Sequence, residues 1–342
     1  MGKLLYAILA AFVVCPISLV IWSLGQGERP LIEVRQAPDE VHRSQDVFYI
    51  APASWSDVNR SMRNCSRCRL GSADDATAII WFSPGGSDAP ITPKRLVIFS
   101  REPRAFHDNP WSDIRPHLAL TYNLDSNVPI SYMPSNFVKT VYGFPIPAQE
   151  DFDARHTAIW LSTNCMGTAW PRQQTVEWLQ QYIQIDCLGG CLTNGVRLQG
   201  NGLHAAHRYK LWIGFEKSIE QEYVTEKAFN AFMGNTLLVY IGSSRISVYA
   251  PSNNSYVDAL LFDSVHDLGG YLQRLASNYT LWREYFQWRA YAPPPRLADL
   301  ELFSWDNDPL CRLCDCLDTE RCSDRRPGEG LAPNLYNLSW SQ

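Results

Sequence analysis

Residues 209–241 combine strand and helix patterns in an order that few folds accommodate. Residues 209–215 form a short apolar run that ends in Glu216, a polar gap follows, and residues 226–232 have the spacing of an amphipathic helix. A β-branched run over residues 236–241 and a Gly-Ser-Ser break complete the pattern. Strand, loop, helix and strand in this order predict half of a doubly wound α/β domain with a parallel sheet.

Ligands of such domains bind at the edge where the carboxyl ends of the strands meet the N-termini of the following helices. The polar residues expected at this edge are Glu216, Tyr223, Glu226 and Lys227. A carboxylate there can accept hydrogen bonds from ribose hydroxyls, and an ammonium beside a helix start can neutralise a diphosphate. A solvated surface charge pair is the alternative interpretation of Glu226 and Lys227, and their spacing alone does not choose between the two.

Four blocks between residues 209 and 289 form a longer motif: Tyr-Lys-x-x-x-x-Phe-Glu, Tyr-Val-Thr-Glu-Lys, a Gly-Ser-Ser-Arg turn and Tyr-Phe-Gln-Trp-Arg. Together they resemble the donor-binding region of the α1,3-fucosyltransferases. The resemblance implies a GT-B-like α/β fold, in which two Rossmann-like domains face each other across a cleft. It also implies an inverting transfer of L-fucose from GDP-fucose to a GlcNAc hydroxyl of a glycan, on a glycoprotein or glycolipid, that forms an α1,3 linkage. No cofactor would be required, although a divalent metal could stimulate the reaction.

The same resemblance implies two catalytic carboxylates. Glu102 comes shortly after an apolar run over residues 95–99 and matches the glutamate proposed as the base in the family. Asp125, in the next matching block, is the alternative base. Glu216 could stabilise the positive charge that develops on the sugar. The family's Glu-Ser-Pro is Glu-Pro-Arg here and its Phe-Glu-Asn ends in Lys217, so the sequence departs from the family at both points.

Donor-binding roles are implied for five residues: Arg172, Lys210, Tyr223, Glu226 and Lys227. Arg172 and Lys227 would neutralise the diphosphate, and Tyr223 and Glu226 would hold the ribose. Such contacts do not identify the sugar, so a GT-B transferase for another nucleotide sugar remains an open alternative. The two departures from the family's motifs also leave open an inactive glycan-binding protein of the Golgi. Two Asp-x-Asp strings, at residues 151–153 and 306–308, do not follow apolar runs, so no metal site is predicted.

Residues 4–24 form an uncharged apolar run of about 21 residues. As a helix the run would be about 31 Å long, enough to cross the hydrocarbon core of a bilayer. A cleaved signal peptide, the alternative, usually has a shorter apolar core and a small-x-small cleavage site. We therefore expect residues 1–24 to form the single transmembrane helix of a type II Golgi membrane protein whose catalytic part is luminal. A stem, an acceptor-side α/β domain, a GDP-fucose-binding donor domain and a disulfide-bonded tail follow, at residues 25–44, 45–154, 155–300 and 301–342.

The net charge of the chain and its glycosylation sequons are consistent with a luminal location. The net charge of −5 provides no basic surface for nucleic acid, so no nucleic-acid partner is expected. The charged stretch beyond residue 300 is expected to be weakly structured. Five Asn-x-Ser/Thr sequons are candidates for glycosylation: Asn59, Asn64, Asn253, Asn278 and Asn337.

The ten cysteines favour disulfides over a zinc site. Two Cys-x-x-Cys pairs would suggest zinc in a cytosolic chain, but here they lie far apart in a chain with luminal features. A Cys165–Cys191 pair is one prediction. An odd number of cysteines follows the apolar run, so at least one thiol stays free or pairs between chains. The resemblance further implies disulfides between the two Cys-x-x-Cys pairs, in an order that stays open: Cys65 and Cys68 with Cys311 and Cys314.

Overall fold

The chain forms two sheets with helices packed around them. The computed structural model describes residues 19–22, 31–34, 47–51, 69–70, 76, 78–82, 95–103, 116–194 and 202–319. The described part of the first sheet has eight strands: β1 (Leu19–Trp22), β2 (Leu31–Val34), β3 (Val47–Ala51), β4 (Arg69–Leu70), β5 (Ala78–Phe82), β6 (Arg95–Ser100), β7 (Leu118–Thr121) and β8 (Val128–Pro129). Their order across the sheet is β1-β2-β4-β3-β5-β6-β7-β8. Strands β3 to β8 pair in parallel, and β1 and β2 pair antiparallel.

The second sheet is parallel throughout its described strands: β9 (His156–Ser162), β10 (Ile185–Gly189), β11 (Tyr209–Phe215), β12 (Leu237–Ile241) and β13 (Tyr256–Asp258). Their order is β10-β9-β11-β12-β13, so β11 is central. The strands predicted at residues 209–215 and 236–241 are confirmed as the neighbours β11 and β12. The α/β fold with parallel sheets is therefore confirmed.

Helices cover both faces of the second sheet. Successive side chains in the middle of β11 alternate between two apolar clusters, with Leu211 and Ile213 in one and Trp212 in the other. Burial on both faces explains why the strands of a parallel sheet are apolar almost throughout. The described helices are α1 (Phe137–Tyr142), α2 (Gln149–Asp153), α3 (Arg172–Leu179), α4 (Gly202–Ala206), α5 (Glu226–Met233), α6 (Ile246–Tyr249), α7 (Val265–Ser277), α8 (Tyr279–Glu284), α9 (Pro295–Glu301) and α10 (Pro309–Thr319).

Residues 309–319 are more ordered than the sequence suggested. The expectation of a weakly structured stretch beyond residue 300 is wrong for α10. Leu310, Leu313 and Leu317 of this helix pack into the apolar cluster of the first sheet. Their spacing puts them on one face of a helix. Arg312 also donates a hydrogen bond to the Pro129 carbonyl at 2.7 Å, so the chain returns to the first sheet after completing the second.

The predicted membrane helix is not confirmed. The apolar run over residues 4–24 is described only at Leu19–Trp22, where β1 pairs with β2. That part is a strand, and the rest of the run lies outside the described residues. Among the helices of the described ranges, none has the length and apolar character that a membrane span needs.

The predicted Cys165–Cys191 disulfide is confirmed, with the two Cα atoms 5.3 Å apart. It joins the segment after β9 to the turn after β10. Between these residues, Cys187 of β10 is a buried free thiol.

Three cysteines of α10 are disulfide-bonded. Cys311 and Cys314 were predicted to be so, and Cys316, which is also bonded, was not. Cys65 and Cys68 lie outside the described residues, so their pairing with α10 stays a prediction.

Cys187 is expected to be nearly inert toward alkylating reagents in the native protein. Burial, with a further contribution from Asp186, raises the pKa of the Cys187 thiol to about 11, and the thiolate is the reactive species. At pH 8, iodoacetamide should label this cysteine slowly in the native protein and fully in urea. Mass spectrometry of the peptide that contains it, with disulfides left intact, measures both rates. Equal labelling in both conditions would contradict the burial of this thiol.

Candidate functional site

Glu216 is at the centre of the candidate site. It follows the last residue of β11, and the residue is fully buried, with 0% exposure. Its carboxylate accepts hydrogen bonds from the Thr225 backbone N–H at 2.8 Å and from the Thr225 hydroxyl at 2.7 Å. Burial raises the pKa of Glu216, and the nearby Lys227 ammonium opposes that rise. The carboxylate therefore fixes the backbone at the point where α5 begins.

Lys227 and Glu226 begin α5 beside this carboxylate. The Lys227 Nζ lies 3.3 Å from Glu216 Oε2 and 3.0 Å from Glu226 Oε1, and it donates to the Thr225 hydroxyl at 2.9 Å. Burial alone would lower the pKa of Lys227, but the two carboxylates outweigh it and raise the pKa. The Glu226 side chain is 55% exposed. The helix start thus presents a charged ammonium and an accessible carboxylate.

The Arg172 side chain is hydrogen-bonded to the last residues of β9 and β11. Arg172 is the first residue of α3 and only 3% exposed. Its guanidinium donates to the Phe215 carbonyl at 3.2 Å, to the Ser162 hydroxyl at 3.0 Å and to the Asn164 carbonyl at 2.6 Å. Burial lowers the pKa of Arg172, and Glu216 opposes the shift. The arginine lies at the predicted edge, with hydrogen-bond donors already used by protein acceptors.

Tyr223 connects the two sheets. Its ring is 3% exposed and packs edge to face against Tyr122 and Tyr132, with centroids 5.2 Å and 6.3 Å away. The two partner tyrosines follow β7 and β8 of the first sheet. Burial raises the pKa of Tyr223, and Tyr132 and then Glu216 add to the rise. The predicted ribose contact of Tyr223 stays a prediction.

Glu102 reaches the same region from the first sheet. The Ser100 hydroxyl accepts a hydrogen bond from the Glu102 backbone N–H at 3.1 Å, which turns the chain beyond β6. The Glu102 carboxylate forms an ion pair with Lys217, and the two side chains are 43% and 15% exposed. Because Lys217 directly follows Glu216, this pair brings the candidate base to the edge of the second sheet.

The segment between β11 and α5 carries two buried acids that sequence reasoning missed. Glu220 accepts a hydrogen bond from the Tyr122 hydroxyl at 2.8 Å. Glu222 accepts one from the Leu124 backbone N–H and forms an ion pair with Arg245. The three glutamates within residues 216–222 were the sequence signal for these two buried acids. Their partners Tyr122 and Leu124 could not be identified from local patterns, because they lie 98 residues away in sequence. These contacts fasten the site-forming segment to the first sheet.

Two predicted residues stand apart from this cluster. Lys210 lies near the start of β11, about 20 Å along the strand from Glu216. Its Nζ donates to the Ala276 carbonyl at 2.9 Å and lies 3.9 Å from the Phe152 ring centroid, so the structure does not bring Lys210 to the candidate site. Asp125 is in an exposed turn beyond β7, where it adds to the effect of burial in raising the pKa of Glu222.

Two sequon asparagines are described, and both are exposed. Asn253 is in the turn before β13, and Asn278 precedes α8, where its side chain accepts a hydrogen bond from the Leu281 N–H at 3.1 Å. Within the described ranges, no group of three or more His, Cys, Asp or Glu residues could hold a metal ion. The other sequons lie outside the described residues: Asn59, Asn64 and Asn337.

Curated relatives of the chain carry fucosyltransferase names. A fucosyltransferase-like protein of Arabidopsis thaliana is 26% identical over 286 residues, which are 82% of this chain and 53% of that protein. Alpha-(1,3)-fucosyltransferase 4 of Bos taurus is 30% identical over 167 residues, which are 48% of this chain and 38% of that protein. The chain spans about half the length, or less, of the curated relatives it matches.

A solved crystal structure and a family pattern also match. The structure, of an α1,3-fucosyltransferase with GDP-fucose, is 15% identical with a TM-score of 0.47, over 66% of this chain and 72% of that one. Residues 153–328 match the pattern described as glycosyltransferase family 10 (fucosyltransferase), C-terminal part. Because that match covers just over half of its residues, the chain belongs to glycosyltransferase family 10, the fucosyltransferase family.

Proposed function

We propose that the chain catalyses the inverting transfer of L-fucose from GDP-fucose to a GlcNAc hydroxyl of a glycan, forming an α1,3 linkage. The observation that carries this proposal is the ion pair between Glu102 and Lys217. It joins a partly exposed carboxylate of the first sheet to the charged edge of the second, so that a base and a donor site are adjacent. Family membership and relatives named α-(1,3)-fucosyltransferase support this choice of reaction. The acceptor would be a glycan of a glycoprotein or glycolipid.

In the proposed reaction, Glu102 removes the proton from the acceptor hydroxyl as its oxygen attacks C1 of the fucose. The bond from C1 to the diphosphate oxygen breaks on the opposite face, and GDP leaves with the negative charge. Lys227, backed by the buried charge of Arg172, stabilises that charge. Glu226 and Tyr223 hold the ribose so that C1 is in line with the acceptor. Acid–base chemistry and these fixed charges require no cofactor.

Glu216 has a less direct role in this scheme. Its carboxylate is enclosed by Thr225 and Lys227, so we propose that it positions the donor-binding ammonium. Its negative charge would also act through space on the positive charge of the sugar.

We further propose a GT-B-like arrangement, with an acceptor-side domain over residues 45–154 and a donor domain over residues 155–300, in a luminal Golgi protein. The contacts of Tyr122 and Glu102 with the segment between β11 and α5 support two sheets that share one site. The Cys165–Cys191 disulfide supports an oxidising compartment. Anchoring through residues 1–24 rests on the apolar run, and a stem over residues 25–44 rests on the polar, proline-containing composition of that segment.

The donor is tested by comparing nucleotide sugars. GDP-, UDP- and CMP-sugars are incubated separately with the protein, and binding by calorimetry and hydrolysis without an acceptor are measured. GDP-fucose is expected to bind most tightly and to be slowly hydrolysed. Preference for a UDP- or CMP-sugar would replace the proposed donor. Binding of GDP-fucose with neither hydrolysis nor transfer would instead indicate an inactive glycan-binding protein.

Replacing Lys227 by glutamine is expected to weaken GDP binding by about ten- to a hundred-fold, the usual value of a charge-assisted hydrogen bond. The substitution also removes the cation that faces the buried Glu216, so thermal unfolding is measured to verify that the variant is folded during the titration. Lys210→Gln is the matched control, because Lys210 lies at the far end of β11 and should leave GDP affinity unchanged. Calorimetric titration with GDP measures both variants. Equal affinities for the Lys227 variant and the wild type would remove Lys227 from the donor site.

A further inference from the structure

The two cations predicted to meet the diphosphate are already engaged with the protein. The guanidinium of Arg172 is buried and donates to three protein acceptors. Lys227 lies between two carboxylates, those of Glu216 and Glu226. A diphosphate would bring at least two further negative charges to these already engaged cations. A further cation at this edge would complete the charge balance.

Lys217 is a cation in the right place. Its backbone is fixed, since it follows the buried Glu216 and its carbonyl accepts a hydrogen bond from the Ala169 N–H at 2.8 Å, just before α3. Its side chain has a flexible four-carbon stem, so the ammonium can move while the backbone stays in place. The present anionic partner, Glu102, is 43% exposed.

Breaking the ion pair between Lys217 and Glu102 requires little free energy. The ion pair contributes little net free energy at its exposed carboxylate, because water solvates Glu102 once the pair opens. A diphosphate offers the ammonium more negative charge and more acceptor oxygens than a single carboxylate does. A ligand shifts such an equilibrium by its differential affinity for the two arrangements.

We propose that Lys217 is a donor-binding residue that exchanges Glu102 for the diphosphate of the nucleotide sugar. Without nucleotide, its ammonium holds the Glu102 carboxylate. When the donor binds, the ammonium leaves Glu102 for the diphosphate, and the Glu102 carboxylate then accepts the proton of the acceptor hydroxyl. Lys217 thus pairs with Glu102 only while no donor is bound. This inference rests on the proposed function, since it takes Glu102 as the base and a diphosphate as the ligand.

In this exchange, the Glu102 carboxylate and GDP compete for the Lys217 ammonium. Glu102→Gln removes the competitor and is expected to tighten GDP binding by about two- to five-fold. Lys217→Met removes the ammonium and should weaken GDP binding by about ten-fold or more. In the double variant, the Glu102 substitution should have no further effect on affinity. Lys217→Arg should restore most of the GDP affinity.

Isothermal titration of the four proteins and the wild type with GDP, at one fixed salt concentration, measures this cycle. Thermal unfolding of each variant verifies that it is folded. Unchanged GDP affinity in Glu102→Gln, or the same tightening with and without Lys217, would overturn the exchange. If the wild type itself does not bind GDP, the proposed function fails instead, so the two failures are distinguishable.

Discussion

Replacement of Glu102 by glutamine is expected to reduce fucose transfer by about 10²–10⁴-fold, the range that general base catalysis usually contributes. Glutamine keeps the size of the side chain but cannot accept a proton from the acceptor hydroxyl. GDP should still bind, because the donor-binding residues Glu226 and Lys227 belong to the second sheet. Initial rates of transfer at saturating donor and acceptor measure the effect on kcat.

Asp125→Asn is the matched control for this experiment. Asp125 is the other candidate base, but it lies in an exposed turn beside Glu222. Its substitution should therefore leave most of the transfer activity. Loss of activity in Asp125→Asn, with activity kept in Glu102→Gln, would exchange the roles of the two residues.

Replacement of Glu216 by glutamine is expected to destabilise the protein by about 3 kcal/mol, because it removes one partner of a buried ion pair. The Lys227 ammonium would then face a neutral amide, and Thr225 would lose a charged acceptor. Urea unfolding, followed by tryptophan fluorescence, measures the change in the free energy of unfolding. Glu226→Gln is the control: it affects the same ammonium through a side chain that is 55% exposed, so it should cost less than about 1 kcal/mol. Equal costs for the two variants would contradict the buried role of Glu216.

The second sheet could be predicted from the sequence because its signals are local. The apolar run over residues 209–215 and the helix that begins at Glu226 are adjacent in the chain, and the rule for parallel sheets places their junction at a ligand-binding edge. The same rule places Lys210 at the opposite end of β11, so its assignment to the donor site rested on the family motif alone.

The contacts between the two sheets could not be predicted from local patterns. Glu102 and Lys217 are 115 residues apart in sequence, and nothing in either segment indicates the other. The helix α10 was missed for a different reason, because its charged residues obscured the regular spacing of Leu310, Leu313 and Leu317. That spacing was available and would have predicted an amphipathic helix.

Fucose transfer at the edge formed by β11, α5 and the turn after β6 is the proposal on which the other residue roles depend. The most direct measurement is incubation of the full chain with GDP-fucose and a panel of glycan acceptors that includes N-acetyllactosamine ends and N-glycan cores. Mass spectrometry reads the products. We expect one acceptor class to become heavier by one deoxyhexose, and we expect this product to be lost in Glu102→Gln. A chain that neither binds GDP nor modifies any acceptor would contradict the proposal.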